Sequence, residues 1–392
     1  MGGYFSPIIN VDAIQYYLIA IGLNVILLFV GLQKETPRLN VSYIVLFAIG
    51  IVMSMFMAMI YHDQSLLSTA ISQRMLYFLA CFFVWWKIGL SEEELFPMLR
   101  VLTVVTLVVF AISLFAPQLF LSNATIEKFM QRQSYSTDVL CFMPGRLYVP
   151  LYFFYLLQRL YSEFNRRDWF LAIAILGMFF VYQNRSRIIY LGIIFVYFLW
   201  TQRSSLRTRN KLLIALSVAV ILLLGLPYIR TISQSLIGET QEQLGDDEYA
   251  RKVALQYYVF DYNKGSITRA IFGNGQPASG STFLEDMEEG NENGAYWSDL
   301  GFIGDWFLFG ILPIIAIIIM MIKVFKYPFP LYLKYLFASF LLVPTIHTFS
   351  GSERNVFYFS IVLYLFCYQE RLVMSEILAR NDEDFFAATR IE

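Results

Sequence analysis

Residues 42–60 read SYIVLFAIGIVMSMFMAMI, a run of 19 residues without a charged side chain. A helix of this length reaches across the hydrocarbon core of a bilayer, which needs about 20 apolar residues. Of the 392 residues in the chain, 58% are hydrophobic and only 15% are charged, a composition far from that of soluble domains. The run therefore predicts a transmembrane helix, and the composition predicts that it is one of many.

Comparable apolar runs recur along the chain and are joined by short polar turns. Helices satisfy their own backbone hydrogen bonds in lipid, and the alternating pattern of barrel strands is absent from the sequence, so these runs predict helices. The predicted fold class is all-α, a polytopic membrane bundle of about 11 transmembrane helices. The candidate spans are approximately 13–33, 42–60, 69–89, 97–121, 141–160, 169–184, 188–202, 212–229, 301–322, 331–350 and 356–371.

Basic residues in alternate connections, among them Arg159 and Lys323, give the predicted orientation, because short loops rich in Lys and Arg stay in the cytoplasm. They predict an external N-terminus and a cytoplasmic C-terminus. Four regions follow: spans one to eight over 1–229, a large external loop over 230–300, spans nine to eleven over 301–371 and a cytoplasmic tail over 372–392.

The external loop, 230–300, is the longest polar interruption, and loops of this size are usually functional. It contains twelve Asp or Glu and five Lys or Arg, a net charge of −7 that suits a translocated segment. A helix is predicted after Asp246-Asp247-Glu248, with an apolar stripe formed by Ala250, Val253, Ala254, Tyr257 and Phe260 or Asp261. Residues 277–295, rich in Gly, Ser, Glu and Asn, predict a mobile flap.

A glycine turn, Phe272-Gly273-Asn274-Gly275, lies in the middle of this loop. Gly273 and Gly275 indicate positive φ or close backbone approach. The lysine and the spacing of a P-loop are missing. We therefore favour an ordinary tight turn and keep contact with a substrate phosphate as the alternative.

Arginines lie near the predicted outer span ends, although the outer side should be poor in them. Each could reach the lipid interface, but several together favour a shared anionic ligand, and Arg suits bidentate contact with phosphate. At the span ends these are Arg74, Arg146, Arg185, Arg187 and Arg354, and Arg251 and Arg269 lie in the external loop.

Three residues near the outer side are candidate general bases: Asp299, His347 and Glu353. For Asp299 a helix-capping role is an equal alternative. The chain has two histidines and three cysteines, without the spacing of a metal or disulfide motif. No metal and no cofactor are predicted, and no basic segment interleaved with aromatic residues suggests nucleic acid.

This arrangement resembles the bacterial O-antigen and exopolysaccharide polymerases of the Wzy type, and the related O-antigen ligases. The resemblance covers about a dozen spans, arginines at the outer ends and one large late loop. Its more specific part runs from Arg251 through the Phe272-to-Gly275 turn to Asp299 and Gly-x-x-Gly. The turn Asn184-Arg185-Ser186-Arg187 also resembles one in these proteins.

The resemblance implies a metal-independent glycosyltransferase of the bacterial inner membrane, with a periplasmic N-terminus and a cytoplasmic C-terminus. It would join undecaprenyl-pyrophosphate-linked glycan repeats at the periplasmic face, among membrane lipids, with a chain-length regulator protein as a further partner. The leaving pyrophosphate needs fixed positive charge. Arg185, Arg187 and Arg251 are the first candidates for it, and further substrate contacts are expected from Arg74, Arg146, Arg269, Arg354, Gly273 and Gly275.

Two other functions compete with polymerisation. O-antigen ligases, which transfer the glycan to a lipid A core, usually carry a histidine in the large loop, and residues 230–300 have none. A transporter or flippase of lipid-linked sugars should show repeated halves, broken helices and midplane charges. The sequence has no convincing repeat, and its charges cluster at one face, so both alternatives rank below the polymerase. A non-catalytic assembly or sensor protein is a third alternative.

Overall fold

The computed structural model describes the backbone of most of the chain and divides it into two compact units. Unit 1 contains Met1–Tyr16 and Glu92–Tyr249, and unit 2 contains Tyr17–Ser91 and Ala250–Glu392. The described residues are Gly22, Ile26, 38–120, 147–182, 185–201, 250–263, 265–292, 295–342, 349–351 and 353–389. Within these ranges the regular elements are helices and no strand occurs.

Fourteen α-helices occur in the described ranges. Short 3₁₀ segments cover Arg74–Ala80, Pro117–Leu119 and Trp297–Leu300. The α-helices are α1 Ser42–His62, α2 Leu66–Ser72, α3 Cys81–Ile88, α4 Glu92–Phe115, α5 Tyr148–Ser162, α6 Arg166–Val181, α7 Arg185–Thr201, α8 Ala250–Leu255, α9 Ile267–Phe272, α10 Thr282–Glu292, α11 Phe302–Phe309, α12 Ile311–Lys326, α13 Leu331–Leu342 and α14 Glu353–Thr389.

Three of these helices are long and apolar enough to cross a membrane: Ser42–His62, Glu92–Phe115 and Asn355–Ala379 within α14. A fourth crossing is available if Leu66–Ser72 and Arg74–Ile88, bent by 70°, form one broken span. The predicted spans 13–33 and 212–229 fall outside the described residues, apart from Gly22 and Ile26. The described residues are therefore confirmed as all-helical, with helices of membrane length, and the number eleven stays a prediction.

Unit 1 packs α4 to α7 side by side. Asn165 caps α6 by accepting a hydrogen bond from the backbone N–H of Arg167. Arg159 at the end of α5 reaches the buried carboxylate of Asp168 at 3.1 Å. This ion pair joins the two helices across their turn. It gives a structural role to Arg159, one of the basic residues in the predicted cytoplasmic connections.

Unit 2 departs from the predicted spans in two places. The predicted span 301–322 is two helices, because Gly310, with φ of 76°, ends α11 before α12 begins. The predicted last span and tail are one helix, since α14 runs unbroken through the expected boundary at 371. Neither change was visible in hydropathy, which averages over single residues.

The external loop also differs from its prediction in part. The expected helix forms as α8, but it continues as a π-helix over Gln256–Asp261. This wider turn buries Ala254 and Tyr258 and leaves Phe260 60% exposed, so the predicted stripe is wrong at its C-terminal end. The segment predicted as a mobile flap contains α10, an 11-residue helix that buries Phe283 and Met287.

Candidate functional site

Residues 273–278 follow α9 as an extended segment, which we call the strap. The strap lies against the break between α11 and α12, where helix termination leaves carbonyls without intrahelical partners. The backbone N–H of Asn274 donates to Phe307 O at 3.0 Å, and that of Gly275 donates to Leu308 O at 2.8 Å. The external loop thus supplies the hydrogen bonds that the broken helix lacks.

The two glycines of the strap have the positive φ expected for the turn, 79° for Gly273 and 78° for Gly275. A Cβ at Gly273 would lie 2.4 Å from Leu308 O, and one at Gly275 would lie 2.8 Å from Ser54 O. Gly310 faces Gly273 in the same way, with Ile271 O 2.3 Å from its would-be Cβ. The glycines are needed for close backbone packing, and their contact with a substrate phosphate stays a prediction.

Gln64 ties the strap to the turn after α1. Its amide donates to Gln276 O at 2.9 Å and to the Thr69 hydroxyl at 2.8 Å, and its carbonyl accepts from the N–H of Ala278 at 2.8 Å. Gln64 is buried. These bonds hold the strap at the end of a membrane-length helix, beside the residue that ends it, His62.

His62 lies where α1, the strap and α10 meet. Its imidazole stacks on Phe283 of α10, with ring centroids 4.0 Å apart, and lies 6.0 Å from the ring of Tyr262. On another side it lies beside the carboxamide of Asn274. His62 Nε2 and Asn274 Oδ1 are both buried, and neither has a hydrogen-bond partner among the described residues.

Arg269 of α9 places a positive charge next to this histidine. Its guanidinium lies over the ring of Tyr61 at 4.5 Å and 5.9 Å from the ring of Tyr262, and Nη1 donates to Tyr262 O at 3.2 Å. Within the described part of the chain its buried Nε has no acceptor. We call His62, Tyr262, Arg269, Asn274 and Phe283 the His62 cluster.

Tyrosines of the loop surround the cluster as neutral donors. Burial raises the pKa of Tyr262 well above its usual value, and the nearby Asp286 carboxylate raises it further. Tyr262 donates to Asp286 of α10 at 3.4 Å. Tyr258, whose pKa burial also raises, donates to Ala295 O at 3.0 Å. The bond to Asp286 fastens α10 over His62, and the bond to Ala295 holds the segment after α10.

Asp305, a buried acidic residue, is linked by hydrogen bonds to the start of α14, where the predicted site residues Glu353 and Arg354 lie. Asp305 of α11 is completely buried and accepts a hydrogen bond from the Ser350 hydroxyl. Ser350 in turn holds Asn355 near the start of α14, where the amide of Asn355 donates to Ser350 O at 2.9 Å. Asp305 therefore positions the turn that precedes Glu353 and Arg354.

A further polar group, the Glu370 cluster, joins three helices of unit 2. Glu370 of α14 accepts from Lys323 of α12 at 2.5 Å, from the Tyr43 hydroxyl of α1 at 2.8 Å and from the Asn40 amide at 3.4 Å. Both of its carboxylate oxygens are therefore hydrogen-bonded. This cluster accounts for Lys323, which was assigned to a cytoplasmic connection by charge alone.

The predicted site residues are distributed over both units. Arg187, in unit 1, is buried with its guanidinium 5.8 Å from the Phe179 ring. Arg74, in unit 2, is exposed on the 3₁₀ segment after α2. Arg146 and His347 lie outside the described residues, and the side chains of Arg185, Arg251, Asp299, Glu353 and Arg354 do as well.

Of the predicted residues, the structure brings together Arg269, Gly273 and Gly275, and it adds His62 and Asn274 to them. His62 was passed over because it follows a span rather than lying in the polar loop. Its only sequence signal is a lone histidine before a Gln-Ser helix start, which is too weak to single it out.

Metal chemistry finds no support in the described residues, where no group of three or more His, Cys, Asp or Glu could hold an ion. The chemistry available to the His62 cluster is that of an imidazole, a guanidinium and phenols, which transfer protons and stabilise anions. Comparison of the chain with family models, with curated proteins and with solved structures finds no match.

Proposed function

We propose that this protein is a membrane glycosyltransferase that polymerises undecaprenyl-pyrophosphate-linked repeat units into O-antigen or exopolysaccharide at the periplasmic face of the bacterial inner membrane. The chain would be an inner-membrane protein with about eleven spans and its large loop outside. The observation that supports this best is Arg269, a cation held at the end of a membrane-length helix by the polar loop that packs there.

Arg269 can stabilise the negative charge of the departing pyrophosphate, because its guanidinium is held in a fixed position. The Tyr61 and Tyr262 rings hold the guanidinium, and fixed donors stabilise developing negative charge better than mobile ones. Arg269 Nη1 is used by Tyr262 O, whereas Nε has no acceptor among the described residues. A lipid-linked pyrophosphate reaches the membrane surface, where α1 ends, without leaving the bilayer.

The other arginines have supporting roles in this proposal. Arg187 lies in the first turn of α7, Arg185–Thr201, and is buried. Arg185 and Arg251 stay first candidates for pyrophosphate contact, with Arg74, Arg146 and Arg354 as further ones. Replacement of Arg185 or Arg251 by Ala should leave single lipid-linked repeats and remove long chains.

The test compares Arg269→Ala, Arg269→Lys and a control in cells that make the native glycan and lack their own copy of the gene. Arg269→Ala should lower the transfer rate by about 10²–10³-fold, so that gels show single repeats instead of a ladder. Arg269→Lys keeps the charge but loses the planar fork, and should retain short ladders. Arg167→Ala, which removes an exposed arginine of α6, should leave the ladder intact.

Unchanged ladders with Arg269→Ala would remove the main support for the proposal. Equal loss with Arg167→Ala would mean that any loss of positive charge lowers the amount of protein. Protein levels in the membrane are therefore measured for each variant.

A ligase is a second candidate, and the position of His62 favours it. The external loop contains no histidine of its own, yet His62 packs against Phe283 and Tyr262 of that loop. A histidine therefore accompanies the large loop here too, although it comes from α1. Glycan found on lipid A core in cells with this chain, and absent without it, would decide for the ligase.

A transporter of lipid-linked sugars is the third candidate, favoured by the broken helices at Gln73 and Gly310, since transporters often build sites from discontinuous helices. The breaks here are filled by the strap and its glutamine contacts. If lipid-linked repeats stay on the cytoplasmic side in cells lacking the gene, the transporter is correct and the polymerase is wrong.

A further inference from the structure

The imidazole of His62 is buried without the hydrogen bonds that a structural histidine normally makes. Only 7% of the residue is exposed, and Nε2 has no hydrogen-bond partner among the described residues. Buried polar atoms in folded proteins are nearly always hydrogen-bonded, and exceptions concentrate at functional sites. Stacking on Phe283 explains one face of the ring but not its nitrogen atoms.

Asn274 is held so that its oxygen is left for the histidine. The carboxamide NH₂ donates to Asn263 Oδ1 at 3.2 Å and to Phe307 O at 3.0 Å. The carboxamide oxygen is therefore the atom left without a partner beside the imidazole, and an oxygen that accepts from a ring N–H fixes the orientation of the ring. A base oriented by a third group is the arrangement seen in acid–base catalysis.

We propose that His62 is the catalytic base of the transfer, with Asn274 as the residue that positions it and Arg269 as the neighbouring cation. This inference rests on the proposed glycosyltransferase function. It replaces Asp299, His347 and Glu353 as the first candidate for the base.

The step balances without a metal or a redox partner. A neutral ring nitrogen of His62 takes the proton from the acceptor sugar hydroxyl, and the oxygen forms the new bond to the anomeric carbon of the growing chain. The bond from that carbon to the pyrophosphate oxygen breaks, and the electron pair leaves with the undecaprenyl pyrophosphate beside Arg269. The imidazolium then passes its proton to water.

Phe283 must move for the acceptor to reach the imidazole, because it covers one face of the ring. Phe283 is carried by α10, whose outer residues are exposed carboxylates. Gly280 precedes this helix with φ of 75° and has nothing within 4 Å of its would-be Cβ. The helix therefore has a glycine with open space at its start, a hydrogen bond from Ser281 to Ala278 O beside it, and hydrogen bonds through Asp286 along its length.

The test uses purified full-length protein in detergent and lipid-linked repeats extracted from cells that lack this gene. His62→Gln should lower the elongation rate by about 10²-fold or more, as for loss of a general base. Asp63→Asn is the matched control, because Asp63 is the exposed neighbour and Asn tolerates its positive φ of 49°. It should elongate as fast as the unmodified protein.

A second variant separates catalysis from folding. His62→Gly leaves room for added imidazole, which should restore part of the elongation rate in proportion to its concentration, whereas a structural histidine would give no such dependence. Folded His62→Gly without rescue, or His62→Gln within threefold of the unmodified rate, overturns the inference and leaves the proposed function standing. Unmodified protein that does not elongate repeats overturns the proposed function itself.

Discussion

The Glu370 cluster and the His62 cluster both bury polar side chains in unit 2, but they differ in how completely these are paired. Both oxygens of Glu370 accept hydrogen bonds, from Lys323, Tyr43 and Asn40. In the His62 cluster, His62 Nε2, Asn274 Oδ1 and Arg269 Nε have no hydrogen-bond partner among the described residues. A saturated cluster stabilises the fold, whereas an unsaturated one keeps groups available for a ligand.

The surroundings of the two clusters explain this difference. The Glu370 cluster lies between three long helices, α1, α12 and α14, which hold it on all sides. The His62 cluster lies where one helix ends, another is broken at Gly310 and a glycine strap fills the break. Backbone that leaves the helix there is tolerated only where hydrogen bonds replace those lost, and the strap provides them.

Gly273→Ala should have the largest effect, because it breaks the frame of the His62 cluster. The new Cβ would meet the backbone at Leu308 O at 2.4 Å, and a main-chain atom cannot move aside like a side chain. We expect a loss of about 4 kcal/mol in unfolding free energy or no folded protein.

Gly280→Ala is the control for Gly273→Ala, since it has a similar φ of 75° and open space. Its cost should be only the left-handed backbone strain, about 1–2 kcal/mol. Thermal unfolding in detergent measures both variants. Equal midpoints would show that the close approach to Leu308 has no energetic weight.

Lys323→Met should have the next largest effect, because it leaves the buried Glu370 carboxylate without a positive charge beside it. We expect a cost of about 3 kcal/mol, measured as a lower unfolding midpoint. The double variant Lys323→Met/Glu370→Gln removes the charge as well and should regain most of that loss. Lys326→Met, at an exposed position of the same helix, should change the midpoint little, within about 0.5 kcal/mol. If the double variant unfolds at the same midpoint as the single one, the ion pair between Lys323 and Glu370 does not stabilise the fold.

Sequence patterns predicted the helical class of the fold better than its breaks. The apolar run 42–60 corresponds closely to α1, because one helix with no breaking residue fills it. The run 301–322 contains Gly310, but a glycine within an apolar run is compatible with a continuous helix. Only the hydrogen bonds from the strap N–H groups to the carbonyls of Phe307 and Leu308, each 33 positions away in the sequence, select the break.

The candidate site was predictable only in the residues that carry a local signal. Gly273 and Gly275 were identified because glycine is the residue that tolerates positive φ and close backbone approach. His62 could not be, because its importance comes from Phe283 and Asn274, which are more than 200 positions away in the sequence. Asp305 was missed for the same reason, since its partner Ser350 belongs to another helix connection.

His62→Leu tests whether His62 stabilises the fold in the way that Glu370 does. Its imidazole has few hydrogen bonds to lose, and an apolar side chain of similar size removes a buried polar group, so the change in unfolding free energy should stay within about 1 kcal/mol. The midpoint should therefore be close to that of the unmodified protein while elongation is lost. A drop comparable to that of Lys323→Met would make His62 a structural residue like Glu370.

Tyr262→Phe should have the smallest effect, and it appears only at high pH. Burial and the Asp286 carboxylate raise the pKa of Tyr262 in the folded protein, whereas an unfolded tyrosine titrates near pH 10. Folding thus favours the neutral phenol, and its contribution to stability is fully present below about pH 10 and is lost as the pH rises above that value. Unfolding midpoints measured from pH 8 to pH 11 should fall less steeply for Tyr262→Phe than for the unmodified protein. Tyr77→Phe, which removes an exposed phenol, should leave the slope as it was. Parallel curves for all three proteins would show that Tyr262 is no more sheltered than a surface tyrosine, and α10 would then not be fastened over His62 as the hydrogen bond to Asp286 implies.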